Sequence, residues 1–245
     1  MSIDWRAMDT ETTGFDPETN SLVEIAAVTE WFSFKHTLVK PTTPIGFGAM
    51  ATHHITPFMV KDAPEPDEAF SKIGLSSKNL EEIRAGNGEL ILVFHNAAFD
   101  LQFLPAHLQE LRHVCTWRCA VSMFPQAESH SNGSLWYEFG LDKAMPSEAG
   151  SMPHRALFDA IMTADLMHFM LDHLRDNHPN IENRLEHMIW LTQQPILLET
   201  VRFGKHRGAK WSEVPIDYLA WCLRQDMDDD IKFTCKFWTE EHRRG

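Results

Sequence analysis

The run Glu89-Leu-Ile-Leu-Val-Phe-His95 constrains this chain more than any other segment. Its apolar residues are continuous rather than alternating and fill the length of a strand, which is the pattern of a strand covered on both faces. A strand of that kind sits inside a layered domain, with helices packed on either side of a sheet. Ala97 to Leu111 follows at once with helical periodicity in Phe99, Phe103, Leu104 and Leu108.

The remaining elements extend this picture. Residues 3–9, 21–29 and 31–40 are rich in β-formers and read as an antiparallel meander. Helices are expected over 46–52 and 67–85, a short strand near 113–116, and helices over 117–124 and 134–144 on either side of a polar loop at 126–133. After a loop at 145–153, a helix of roughly 20 residues is expected to begin at His154 or just after it. The expected fold class is α/β, a mixed sheet flanked by helices with a small C-terminal α+β module. Pro179 and Gln193-Gln194-Pro195 mark boundaries, giving a domain over 1–178, a helical linker over 179–198 and a module over 199–245.

A chain of 245 residues can bury a proper core. It shows no signal segment and no apolar run of spanning length, so a cytoplasmic location without membrane contact is expected. Cys115, Cys119, Cys222 and Cys235 form no Cys-x-x-Cys pair, and no third and fourth ligand follows Cys115 and Cys119 in zinc register. The formal charge is −13, an awkward value for a phosphate-binding protein. From residue 180 onward, however, 10 Lys/Arg face 11 Asp/Glu, which leaves 12 against 24 in the first 179 residues. The acidity belongs to the larger domain, so a contact with nucleic acid there should be confined to a few nucleotides.

Four of these acids stand out by position: Asp9 and Glu11 in Asp-Thr-Glu-Thr-Thr-Gly, Asp100 in His-Asn-Ala-Ala-Phe-Asp, and Asp159 five residues after His154. Asp9 and Glu11 are two apart, so in an extended segment both side chains point to one side. Carboxylates that converge in a cleft repel one another unless divalent cations neutralise them. An oxygen-only set selects Mg²⁺ or Mn²⁺ over Zn²⁺, and two such ions about 3.5–4 Å apart suit in-line cleavage of a phosphodiester. His154 is the natural base, since an ordinary imidazole titrates near 6.5.

Asp-x-Glu-Thr-Thr-Gly, His-Asn-Ala-x-Phe-Asp and His-x(4)-Asp, in this order over about residues 3–175, resemble the DEDDh group of 3′→5′ exonucleases, which is DnaQ-like. The resemblance implies a ribonuclease H-like mixed sheet and two Mg²⁺ or Mn²⁺ ions. It also implies release of 5′-mononucleotides from DNA 3′ ends, single-stranded or frayed. Pro44-Ile45 with Ala49-Met50-Ala51-x-His53-x-Ile55-Thr56 resembles the second motif of the exonuclease X branch, which implies that the stretch leading into His53, Ala51 included, borders the terminal nucleotide; His53 itself either lines that pocket or braces the loop. Thr10 lies within the acidic pair and Thr13 just after it, Gly14 suits close approach or a tight turn, Phe15 either stacks on or wedges beside the last base or is an ordinary packing residue, and Asn96 either caps the following helix or contacts substrate. His95 reads as a core or sheet-edge residue. Two alternatives stay open: an RNA exonuclease of the oligoribonuclease or ribonuclease T type, and a catalytically silent nucleic-acid-binding module.

Between Glu199 and Glu213 every charge is positive: Arg202, Lys205, Arg207 and Lys210, interleaved with Phe203 and Trp211. Gly204 and Gly208 suggest a turn between two short strands, and residues 216–223 a helix. Phe203-Gly204-Lys205-x-Arg207-Gly208 resembles the C-terminal element of the same branch. Lys205, Arg207 and Lys210 are candidate phosphate contacts, the other reading being a docking surface. The acidic run Asp226, Asp228, Asp229 and Asp230 reads as a solvated helix face or turn.

Overall fold

The computed structural model describes residues 2–144 and 153–244. A five-stranded sheet in the order β3-β2-β1-β4-β5 forms its centre. β1 (Ser2–Thr12), β2 (Leu22–Thr29) and β3 (Phe34–Leu38) make the expected antiparallel meander. β4 (Gly88–Phe94) lies parallel to β1, and β5 (His113–Cys115) parallel to β4. Leu90 to Phe94 are all buried, as the continuous apolar run requires.

Between the meander and β4 lie α1 (Phe47–His53), α2 (Pro57–Val60), α3 (Pro66–Lys72) and α4 (Ser77–Ala85). The single helix expected over 67–85 is therefore two. Gly74 takes φ +77°, which ends the first, and Ser76 and Asn79 form a capping box that starts the second. The helix expected over 97–111 is also broken, into α5 (Ala97–Asp100), a 3₁₀ turn at Leu101–Phe103 and α6 (Ala106–Gln109). Pro105 forces Leu104 into an extended conformation and ends the run.

α7 (Thr116–Met123), α8 (Asn132–Glu138) with a 3₁₀ turn at Leu141–Ala144, α9 (Ala156–Asn177) and α10 (Arg184–Gln193) complete this part. The loop expected at 145–153 lies, for residues 145–152, outside the described residues. One face of the sheet packs Met8, Ile25, Leu92 and Phe94 against Phe70, Leu75, Leu80 and Leu108. The other face carries α9, whose residues from Ala156 to Ala164 are buried nearly all round except Asp159. A helix apolar on all sides is one enclosed by its own domain. Residues 179–198 contain α10, and its Thr192 hydroxyl accepts the Cys115 N–H at 2.9 Å.

The chain divides into two compact units, Met1–Ala120 with Phe124–Thr192, and Gln193–Gly245 with Val121–Met123. The second has its own core of Val201, Trp211, Val214, Tyr218, Leu219, Cys222 and Cys235, built on α11 (Ile216–Cys222) and α12 (Asp229–Arg244). Where two short strands were expected around the glycines, one antiparallel bridge forms, between Thr200 and Lys210. The acidic run opens α12: the Asp228 carboxylate accepts the Ile231 N–H at 2.8 Å, and negative charge there suits the helix dipole. All four cysteines are free and buried. Among the described residues no helix is long and apolar enough to cross a membrane.

Candidate active site

β1 is the strand on which the site is built. It pairs antiparallel with β2 on one side and parallel with β4 on the other, the kind of switch point where α/β sheets form crevices. Its parallel pairing ends at Ala7↔Val93, so residues 8–12 run on past the end of β4. A bulge between Glu11 and Thr12 disturbs the β2 ladder at the same place, and bulges of this kind re-aim side chains.

Asp9 and Glu11 emerge on one side of this extension, and Asp159 meets them from the first turn of α9. Ligand oxygens of the three lie within 4.8 Å of one another. Asp100, 3% exposed, joins through the strand itself: its Oδ1 accepts the Thr10 N–H at 3.1 Å and the Thr10 hydroxyl at 2.8 Å. Thr10 stands between Asp9 and Glu11, so the Asp100 anchor and the acidic pair share one stretch of backbone.

The electrostatic consequence is severe. Burial, then the neighbouring Asp159 and Glu24 carboxylates, push Glu11 up to about 9. Burial raises Asp100 to about 7 against the two Thr10 bonds, and raises Asp159 to about 6. Asp9 is raised by burial and by Asp159, Asp100 and Glu11 together. Oxygen-only donors, held close and resisting ionisation on their own, fit hard divalent cations.

His154 lies at the lip of this cluster, exposed, with φ +61°. Its backbone N–H donates to Asp159 Oδ2 at 3.0 Å, which fixes the turn that presents the imidazole.

The candidate substrate contacts divide by what the fold already asks of them. Both donors of Thr10 are taken by Asp100. Thr13, 1% exposed, accepts the Ser21 N–H at 3.0 Å and pairs with the Thr43 hydroxyl at 2.9 Å. At Gly14 a Cβ would come within 2.6 Å of Asn20 Oδ1, so a larger residue there would displace the Asn20 amide that accepts the Asp16 N–H. His53, 2% exposed, accepts the Ile55 N–H on Nδ1 and donates from Nε2 to the Thr12 carbonyl at 3.2 Å, bracing the loop. Ala51 is exposed one turn away on α1. Asn96 is exposed in a left-handed conformation and makes no side-chain cap, so the capping reading is set aside. His95 is half-buried at the end of β4: its ring bridges the Thr116 hydroxyl and the His130 carbonyl, and burial pulls it down to about 4. Phe15 is 87% exposed and meets Phe99 edge-on.

Three residues escaped the sequence reading. Phe47, 89% exposed, follows Gly46, whose N–H donates to the Thr13 carbonyl, so it stands beside the same loop as Phe15. Glu24, directly across the ladder from Glu11, is 1% exposed and binds Arg155 through both oxygens. The signal for that pair was present, because an acid inside Leu-Val-Glu-Ile-Ala-Ala-Val has to be paired if the strand is buried.

The model of the exonuclease family matches residues 7–167, a span that contains Asp9, Glu11, Asp100, His154 and Asp159. The chain belongs to the exonuclease family. Exodeoxyribonuclease 10 of Escherichia coli (strain K12) is 30% identical over 244 residues, covering 96% of this chain and 98% of that protein. The DNA polymerase III subunit epsilon of Treponema pallidum (strain Nichols) is 32% identical over 182 residues, 68% of this chain and 76% of that one. Among solved structures, exonuclease X in complex with 5′ overhanging duplex DNA superposes with a TM-score of 0.56 at 30% identity, over 77% of this chain and 99% of that one. The sheet is thus the ribonuclease H-like sheet of this exonuclease family, flanked by helices. The likeness to Exodeoxyribonuclease 10 runs beyond the family match and through most of the C-terminal unit.

Proposed function

We propose that this exonuclease is a metal-dependent 3′→5′ exodeoxyribonuclease that releases 5′-mononucleotides. The observation that carries the reading is the convergence of Asp9, Glu11 and Asp159 beside the Thr10-anchored Asp100. Held by Asp9, Glu11, Asp100 and Asp159, two Mg²⁺ or Mn²⁺ ions would supply Lewis-acid activation of the phosphodiester and neutralise charge on the leaving 3′ oxygen. His154 takes the proton from the attacking water at its imidazole, at the exposed edge of the cluster. Thr12, Thr13 and Gly14 shape the loop that borders the terminal nucleotide, with Ala51 on the neighbouring helix. Phe15 and Phe47 offer faces on which bases stack without sequence preference.

DNA is the substrate favoured here, in keeping with the name of Exodeoxyribonuclease 10 and with the duplex DNA bound to exonuclease X. In the C-terminal unit, Lys205, Arg207 and Lys210 are exposed on the turn held by Gly204 and Gly208, and we assign them to backbone phosphates of the substrate. The domain enclosed by residues 1–178 performs the cleavage, and residues 199–245 add grip.

A time course on single-stranded DNA and RNA, labelled at the 5′ or the 3′ end, tests this reading. A 5′-labelled DNA that shortens stepwise, while a 3′ label is released at once as mononucleotide, is expected. Loss of the 5′ label first would reverse the polarity, and faster turnover of RNA would replace the substrate class.

A further inference from the structure

Glu24 is a buried carboxylate within the apolar stretch of β2; apart from a 4.0 Å approach of its Oε1 to His36 Nδ1 on β3, its close partners lie at the start of α9. Oε1 accepts Arg155 Nη2 at 2.7 Å, and Oε2 accepts both Arg155 Nε at 2.9 Å and the Ala156 N–H at 3.0 Å. A fork-to-fork pair of this kind fixes direction as well as distance.

The place it fixes is the one the reaction needs. Arg155 is the N-cap residue of α9 and supplies no side-chain cap of its own, so the first N–H of the helix is satisfied from β2 by Glu24. Asp159 stands on that same first turn, its N–H bonded to the Arg155 carbonyl. His154 is the residue before Arg155, in a left-handed conformation that a side chain other than glycine seldom adopts. Its backbone is held on one side by Asp159 Oδ2 and on the other by the anchored Arg155. At the far end of the link, Glu24 lies across the ladder from Glu11. The guanidinium of Arg155 also acts on Glu11, partly offsetting the charges that crowd it.

We propose that Glu24 is a positioning residue of the exonuclease: through Arg155 and the Ala156 N–H it sets Asp159 and His154 against Asp9 and Glu11. An acid whose only task was to pair with a half-buried arginine would leave metal affinity and turnover untouched. Glu24 instead ties the strand opposite one metal-ligand candidate to the turn that carries another, together with the base. This rests on the exonuclease reading of the site.

The test uses the full chain with Glu24→Gln and with Arg155→Lys, which keeps the charge but loses the fork. Folding is followed by circular dichroism and melting, Mn²⁺ binding by calorimetry without DNA, and kcat and KM on a 5′-labelled oligonucleotide. Glu24→Gln is expected to stay folded and to lower kcat roughly 10–10²-fold, with KM within about twofold. Its Mn²⁺ Kd is expected to rise roughly 10–10²-fold, and Arg155→Lys to move both in the same direction. A folded Glu24→Gln protein with wild-type kcat and wild-type Mn²⁺ affinity overturns the proposal. If that variant does not fold, wild-type values in Arg155→Lys, whose parent side chain is 30% exposed, overturn it instead. Failure of the nuclease reading would look different, as wild-type protein that binds Mn²⁺ but leaves DNA intact.

Discussion

The backbone N–H of His154 donates to Asp159 Oδ2 at 3.0 Å, so the candidate base is tied to a candidate metal ligand through its main chain. Replacing the ring alone therefore separates proton transfer from metal binding. His154→Asn, which tolerates the left-handed turn, and His154→Ala should each lower kcat roughly 10²–10⁴-fold while Mn²⁺ affinity is retained. Single-turnover rates with calorimetry check this, and full turnover in either variant contradicts the assignment.

The raised carboxylates give the metal-free protein a definite pH dependence. Unfolded, these acids titrate near 4, whereas in the fold Asp159 is raised to about 6, Asp100 to about 7 and Glu11 to about 9. Between those limits the folded protein binds more protons than the unfolded chain, so stability is greatest below about pH 4 in this respect and falls as pH rises toward about 9. Divalent cations favour the ionised set and oppose that loss. The gap in melting temperature between Mg²⁺ and chelator should widen steadily from pH 5 to pH 9 by about the same linkage. A gap independent of pH would show that the cluster does not take up cations by releasing protons.

Lys205, Arg207 and Lys210 lie on a turn pinned by Tyr218: the Lys205 ammonium sits 5.2 Å from its ring centre, and a Cβ at Gly204 would strike its hydroxyl. Replacing the three cations with alanine should weaken binding to single-stranded DNA and flatten the plot of log affinity against log salt by roughly 2. Turnover of a dinucleotide, too short to reach a second site, should be unchanged. Equal DNA affinity in the triple variant favours the docking reading of this turn.

Phe15 and Phe47 flank the Thr12–Gly14 loop with their rings in solvent, at 87% and 89% exposure. Phe15→Ala and Phe47→Ala should each cost about 1–3 kcal/mol in DNA affinity, seen as a raised KM, without changing Mn²⁺ binding. Unaltered KM in both would remove the stacking role.

The meander, the buried strand and the convergence of Asp9, Glu11 and Asp159 were legible because each rests on a strong pattern. Continuous burial marked β4, β-former runs marked the meander, and the two-residue spacing of Asp9 and Glu11 put both on one side of β1. Helix continuity was less legible. Periodicity alone reads through Leu104-Pro105 and Gly74, yet proline's missing N–H and glycine's positive φ end those helices locally. The role of Thr10 was hidden for a different reason. Its donors face Asp100 because β4 stops before it, and the end of a neighbouring strand is a tertiary fact. Glu24 was the reverse case, an anomaly visible in the strand whose partner could be named only from the fold.

The most direct test of the account is the fate of a 5′-labelled single-stranded DNA in the presence of wild-type protein or Asp9→Asn, each with Mg²⁺ and with chelator. Stepwise shortening by wild type with Mg²⁺ alone, and loss of both turnover and Mn²⁺ binding in Asp9→Asn, is the expected result. Shortening that persists in chelator, or an Asp9→Asn protein as active as wild type, would contradict the claim that this carboxylate cluster is the catalytic metal centre.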